Sequence, residues 1–281
     1  MALVKVRELL DAAQKANTSI VAFDANDINT IYACIKGAEK ARRPVIVMLY
    51  PASRGMMDFR SFTATVKEMA EKASVPVGLH LDHCDNFEMI MEAIRDGFSS
   101  VMADGSSLPF DQNVAFTKSV VDVAKVFDVD VEGELGHVGS VAAGDAQDDE
   151  STYTVPEEAA KFAELTGVAS LAVAFGSCHG VYKVTPNLSL TRLQEIDKAT
   201  DVPLVLHGGS GIPHDQLVKA FTMGVNKVNV ATEFFILYDQ LQHQYYTEMF
   251  GKEGAPNKIT FLREGLVNYV AEKVKLCTLE V

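Results

Sequence analysis

The chain has 281 residues, 48% of them apolar, and a formal charge of −13 at neutral pH. That length suits one large core rather than a small stapled domain. The negative field excludes nucleic acid and anionic membrane surfaces as partners unless a basic patch offsets it locally, and the densest basic cluster, Lys40 with Arg42 and Arg43, falls where a helix should end and reads as a solvated terminus.

The opening stretch, MALVKVRELLDAAQKA, has the spacing of an amphipathic helix and lacks the apolar core of a signal peptide. From there, short β-branched and apolar runs alternate with segments of helical period, the pattern of repeated βα units and a parallel sheet. Eight strands are predicted: IVAFDA from Ile20, VIVMLY from Val45, VPVGLHLD from Val75, SSVMAD from Ser99, VDVEGELG from Val129, SLAVAF from Ser170, PLVLHG from Pro203 and KVNVAT from Lys227. Helices are expected over 28–40, 59–72, 87–96, 113–127, 156–166, 190–200 and 215–223. Asp58, Asp85 and Thr154 stand where caps belong, and DGFSS, TGVAS and MGVNK place a glycine where a left-handed turn ends a helix. Eight evenly spaced units with no break in composition predict a (β/α)8 TIM barrel, one domain over 1–281 with a helical extension beyond Phe250, in preference to a doubly wound open sheet. One interval breaks the rhythm. Residues 136–153, GHVGSVAAGDAQDDESTY, are small, acidic and aperiodic, and predict a long lid-like loop after the fifth strand.

Cys34, Cys84, Cys178 and Cys277 show neither CxxC spacing nor the density of a disulfide scaffold, and no apolar run is long enough to span a bilayer. Both point to a reducing, cytoplasmic setting.

In a barrel of this kind the active site lies at the C-terminal ends of the strands. The polar residues collect there: HLDH ends the third strand, AD the fourth, EGELG the fifth, GSCHG follows the sixth, LHGGSG ends the seventh and NVATE the eighth. Alternation puts His80 and Asp82 on one face of their strand with Leu79 and Leu81 on the other, and leaves His83 where the chain turns. A lone histidine in such a place is ordinarily a packed surface residue, and His80 reads as a hydrogen-bonded interior one. Three histidines at the same end of three strands, His83, His179 and His207, are a different matter: neutral imidazoles with an open position suit catalytic Zn²⁺ acting as a Lewis acid. His137 and His214, read as loop residues, and His243, in a late helix, carry no assigned role. Glycine follows two of the three, with Gly180 after His179 and Gly208, Gly209, Ser210 and Gly211 after His207. Glycines let backbone N–H groups approach an anion, and the helix that follows favours phosphate at its N-terminus. Asp104 and Glu134 face the same mouth, as second-cation ligands or as acceptors that orient a histidine; Glu132 shares their parity and reads equally well as a solvated strand end.

Taken in order, LHLDH, VMADGS, VEGELG, GSCHGVY, VLHGGSG and KVNVATE resemble the class II, metal-dependent ketose-bisphosphate aldolases, particularly their tagatose-bisphosphate branch, over nearly the whole chain. The resemblance implies that His83, His179 and His207 ligate zinc, that Asp82 is the acid/base, and that Asp104 and Glu134 match a second cation site. Gly180, Gly208, Gly209, Ser210, Asn229, Ala231 and Thr232 match positions that hold dihydroxyacetone phosphate, often with a monovalent cation near the phosphate, and the family forms dimers or tetramers. Lys183 reads as a charge partner near the phosphate rather than a Schiff-base nucleophile. The chain departs from the family where substrate specificity is set. Asp24 replaces an asparagine. The loop reads GSVAAGD where the family has GGxED, which leaves Asp145, Asp148, Asp149 or Glu150 to replace its acidic residue. Phe234 and Phe235 stand where fructose-type members carry an arginine for the distal phosphate, leaving Arg54 as the remaining candidate for a distal anion. Ala231, where those members carry aspartate, favours a tagatose-like or otherwise different C4 configuration. The expected function is cleavage of a ketose 1-phosphate or 1,6-bisphosphate. Two other readings are a barrel metallohydrolase, which ordinarily shows an HxH pair absent from IVAFDA, and a sugar-phosphate-binding protein on an altered aldolase barrel.

Overall fold

The computed structural model of the protein describes residues 3–141 and 150–280. In chain order the strands are β1 (Ile20–Asp24), β2 (Val45–Leu49), β3 (Val77–Cys84), β4 (Ser100–Ala103), β5 (Asp130–Leu135), β6 (Gly139–Ser140), β7 (Ser170–Val173), β8 (Cys178–His179), β9 (Leu204–Leu206) and β10 (Val225–Val230). The helices are α1 (Val6–Lys15), α2 (Ile28–Ala41), α3 (Phe59–Glu71), α4 (Phe87–Asp96), α5 (Phe110–Ala124), α6 (Pro156–Thr166), α7 (Leu190–Ala199), α8 (His214–Phe221), α9 (Thr232–Gln244) and α10 (Lys258–Val274). Eight strands close in the order β1-β10-β9-β7-β5-β4-β3-β2, every pairing parallel. This is the (β/α)8 barrel that the alternating pattern predicts.

The period of two sorts each strand into a face for the helices and a face for the barrel interior. In β1, Val21 and Phe23 join the large core between sheet and helices, while Ile20 and Ala22 turn inward. In β3, Leu79 and Leu81 face the same outer core, and His80 and Asp82 face the interior. The amphipathic N-terminal helix α1 stops the lower end of the barrel: Val6, Leu9, Leu10 and Ala13 bury against Ile20, Ala22, Ile46 and Met48. Gly78 makes that contact close, since a Cβ there would stand 3.1 Å from Val6. Above this plug the interior mixes the polar His80, Glu132 and Lys227 with a small apolar cluster of Met102, Ala172 and Val205, and higher still lies the mouth.

Several boundaries and placements differ from the expectations. The helix expected over 113–127 begins earlier and ends as α5, its tail tightening into a 3₁₀ turn at Lys125–Phe127. His214 opens α8 instead of lying in a loop, because Pro213 in front of it fixes the entry. Asp58 caps α3, but the cap of α4 is Asn86, whose side chain accepts from Met89 N, rather than Asp85. Thr154 caps nothing: its hydroxyl donates to Leu135 O and accepts from Ala174 N, pinning β5 to β7. The irregular interval contains β6, a two-residue strand that pairs in parallel with β8. His179 therefore sits on a small ladder above the barrel, beyond the end of β7. The extension after Phe250 is α10, which packs on α2 of its own barrel. All four cysteines are buried without a disulfide, and among the described residues no helix is long and apolar enough to cross a membrane.

Candidate metal centre and anion loop

Three imidazole rings meet at the barrel mouth. His83 Nε2 lies 3.1 Å from His179 Nε2 and 2.7 Å from His207 Nδ1. Each ring has its other side engaged. His83 Nδ1 is 2.8 Å from Asp104 Oδ2, His207 Nε2 is 2.9 Å from Glu132 Oε1, and the His179 ring hydrogen-bonds the backbone of Val138. An acceptor on one ring nitrogen holds the proton there and leaves the lone pair on the other, so the three lone pairs point at one region. Nitrogens bound tetrahedrally to one small ion at about 2.0–2.1 Å stand roughly 3.3 Å apart; the two pairs through His83 stand somewhat closer than that. His83 reaches the convergence with a left-handed backbone, φ 40°, at a register irregularity in β3.

Carboxylates surround the rings. Glu134 Oε2 is buried without a hydrogen-bond partner and lies 3.8 Å from both His83 Nδ1 and His207 Nδ1. His83, Asp104 and Glu134 form a second group able to hold a cation. Burial opposes charge on His83, but Asp82, Asp104 and Glu134 outweigh it and lift its pKa to about 10. Burial and the proximity of Asp104 push Glu134 up to about 8. His179, by contrast, is lowered to about 4 by burial and by His83, and His207 is lowered by the same two causes. The pattern is a negative pocket around two neutral imidazoles and one that draws a proton, an environment a dication satisfies. The residues present fit a zinc ion.

Asp82, buried next to His83, accepts from Asn229 Nδ2 at 2.9 Å through Oδ1. Its other oxygen, Oδ2, lies 4.0 Å from His83 Nε2. Asp24 stands beside it, and burial followed by repulsion from Asp82 raises the Asp24 carboxyl well above its ordinary range. Asp24, Asp82, His179, Gly180, Gly208, Ser210, Asn229, Ala231 and Thr232 line one narrow cavity. Gly209 lies directly behind, its N–H donating to Asn229 O. Gly208 has φ +67° and no room for a side chain, a Cβ there standing 2.2 Å from Cys178 O. Lys183 and Arg54 stand apart from this lining. Lys183 is exposed on the segment after Gly180, and Arg54, in the 3₁₀ turn after β2, pairs with Glu92 at 3.3 Å and lies over Phe59. Glu150 opens an exposed 3₁₀ turn; Asp145, Asp148 and Asp149 lie outside the described residues.

The chain belongs to the class II aldolase family. The model for class II fructose-bisphosphate aldolases matches residues 4–280. The YdjI aldolase of Escherichia coli K12 is 32% identical and superposes with a TM-score of 0.87 over 98% of this chain and 97% of that one. A protein of Coccidioides immitis assigned as a fructose-1,6-bisphosphate aldolase is 30% identical, with a TM-score of 0.82 over 96% and 93% of the two chains. Fructose-bisphosphate aldolase of Campylobacter jejuni, 22% identical, shares the fold at a TM-score of 0.79 over 98% and 96%. Family members are lyases, generally zinc-dependent, that act on sugar phosphates.

Class membership does not point to the residues that hold this mouth together, and the linear motifs left three of them unassigned. Glu132, fully buried, is a hub: Lys227 Nζ lies 2.9 and 3.2 Å from its two oxygens, and Ser170 Oγ donates to Oε2 at 3.2 Å. Burial pushes the Glu132 carboxyl up, but the Lys227 ammonium prevails and holds it below its ordinary range. Glu132 is thus an interior strut rather than a solvated strand end. Lys227 has the parity of Asn229 in KVNV, and that inward parity is the signal that could have found it. Tyr182 is the third: its hydroxyl accepts from Cys178 N at 2.8 Å and donates to Gly208 O at 2.9 Å, tying the histidine ladder to the glycine loop.

Proposed function

We propose that this chain is a zinc-dependent aldolase that reversibly cleaves a ketose 1-phosphate or ketose 1,6-bisphosphate, tagatose-like at C4, to dihydroxyacetone phosphate and an aldehyde. The whole chain, 1–281, acts as one catalytic domain within a cytoplasmic homodimer or homotetramer. The observation that carries this reading is the convergence of three imidazole lone pairs beside the Asp82 carboxylate, on the mouth that also holds the glycine-rich loop.

In this reading His83, His179 and His207 are the zinc ligands, and Asp104 and Glu134 offer a second cation position. Zinc held by the three histidines would supply Lewis-acid polarisation to the substrate. Asn229 occupies one oxygen of Asp82, which leaves the other to take the proton from the C4 hydroxyl as the C3–C4 bond breaks; the bonding pair stays with the dihydroxyacetone phosphate fragment, whose C3 takes a proton from water, and condensation runs these transfers in reverse. Gly180, Gly208, Gly209, Ser210, Asn229, Ala231 and Thr232 hold the phosphate-bearing end, a monovalent cation assisting, with the first turn of α9 behind them. Ala231 adds no carboxylate to the one Asp82 offers at C4, and Asp24 replaces an amide contact with an acid. Lys183 serves as a charge partner at the rim. Arg54 meets a distal anion only by leaving Glu92, which favours substrates whose distal end is unphosphorylated.

The test is a reductase-coupled assay for dihydroxyacetone phosphate, run with a panel of ketose phosphates and, in condensation, of phosphorylated and unphosphorylated aldehydes. Turnover should vanish on chelation, return with zinc, and fall at least about 10³-fold in Asp82→Ala. Full activity in metal-depleted protein, or unchanged turnover in Asp82→Ala, rules the assignment out.

A further inference from the structure

One carboxylate ties the glycine-rich loop to a helix outside the barrel. Glu233, in the first turn of α9, accepts from Gly211 N through Oε2 at 3.0 Å. Its other oxygen lies 2.6 Å from Nζ of Lys273, which is only 3% exposed in the last turn of α10. Tyr269, one turn earlier on α10, lies beside Glu233, and its ring stacks on Phe234 at 5.8 Å. The loop is braced from the same side by Ser210, whose Oγ accepts from Ala231 N at 3.2 Å and Glu233 N at 3.3 Å. With both acceptor directions of that hydroxyl taken, its proton is what remains for the cavity.

A carboxylate here is an electrostatic liability. It stands beside the backbone groups of a loop that would receive an anion, and a like charge so close repels it. The loop nevertheless needs an acceptor for Gly211 N. A buried ammonium resolves the conflict, because it cancels the charge without displacing the acceptor.

We propose that Lys273 and Glu233 are positioning residues for anion capture: Glu233 fixes the Gly208–Gly211 loop, and Lys273, from the C-terminal helix, neutralises it. The inference rests on the reading of that loop as the phosphate site. It assigns to α10 a control over the charge of a mouth that it does not line.

Charge and scaffold roles are separable by sign. Lys273→Met leaves the carboxylate uncompensated and should weaken anion binding at least about tenfold, the scale of one unpaired charge a few ångströms away at a protein's effective dielectric. Glu233→Gln keeps an acceptor for Gly211 N and leaves Lys273 in excess, so binding should be unchanged or tighter. The double variant should return to within about threefold of wild type, as should Lys273→Arg, which keeps the charge. A pair that only braced the fold would weaken binding in both single variants, and most in the double.

The experiment measures inorganic phosphate binding to the zinc-loaded full chain by calorimetry, with the melting temperature of each variant as the check on folding. Ser210→Ala is the control for the site itself: if it leaves phosphate affinity unchanged, the loop is not the phosphate site and that reading fails on its own. With Ser210→Ala weakened as expected, wild-type affinity in Lys273→Met, a loss in Glu233→Gln equal to that in Lys273→Met, or a loss in Lys273→Arg as large as that in Lys273→Met overturns the inference. If Lys273→Met does not fold, the Lys273→Arg and Glu233→Gln arms still decide it.

Discussion

Replacing Lys227 with methionine removes the ammonium that neutralises Glu132 inside the barrel while keeping much of the lysine stem's volume. Glu132 would be left fully buried with His207 Nε2 at 2.9 Å and Ser170 Oγ at 3.2 Å. Neither replaces a cation, since burial and the neighbouring His83 keep His207 neutral. Breaking a buried ion pair from one side costs about 3–5 kcal/mol. Across 281 residues, an unfolding entropy of about 2.1 cal/mol/K per residue converts that loss to a melting temperature lower by roughly 5–9 °C. The variant has one relief, which is to protonate Glu132. A neutral acid holds His207 less firmly, and loosening the partner of a metal ligand costs about 10–100-fold in metal affinity. Scanning calorimetry of the chelated protein reads the first effect, and zinc titration against a competing chelator reads the second. Adding Glu132→Gln to Lys227→Met should restore most of the melting temperature and little of the zinc affinity. A drop under about 2 °C, together with unchanged zinc affinity, would mean that Lys227 does not neutralise Glu132 inside the barrel.

Three further outcomes follow from the same geometry. Chelation of the wild type should lower its melting temperature, because a ligand at about 1,000 times its Kd stabilises the folded state by about 4 kcal/mol; an unchanged melting curve means that the three histidines hold no metal. Gly208→Ala drives a methyl into Cys178 O from a left-handed backbone. It should cost about 2–4 kcal/mol in urea unfolding and weaken phosphate binding with it, whereas a loss under about 1 kcal/mol would mean that the loop yields freely. Glu39 tests the pH dependence away from the mouth. Burial raises its pKa, but Lys36 and Ser74 N outweigh burial and the net shift is downward. A depressed acid contributes stability above the ordinary glutamate range and loses it as pH falls through the folded value. Glu39→Gln should therefore cost about 1 kcal/mol near neutrality and nothing in strong acid; a pH-independent difference contradicts it.

The strand positions, and the place of each of the three histidines at or past a strand end, were readable because they rest on local properties. Alternation along HLDH already placed His80 and Asp82 inside and Leu79 and Leu81 outside, and caps such as Asp58 depend on a few neighbouring residues. The misplaced elements share a cause. β6 is two residues long and exists only because β8 lies beside it, so the small, aperiodic tract around it carries no period of its own. Thr154 looked like a cap until the fold brought Leu135 and Ala174 to its hydroxyl.

What the sequence determined by itself is a cycle of eight βα units with metal-capable and anion-capable residues at one end, since periods of two and 3.6 and the glycine after a histidine are written within each unit. Which of those residues meet is set by the closed barrel. Lys227 reaches Glu132 across 95 residues and His207 reaches His83 across 124. Such pairs depend on the register with which the whole sheet closes, and closure is a property of all eight strands together. The link from Lys273 through Glu233 to Gly211 depends in turn on where α10 packs against the finished barrel.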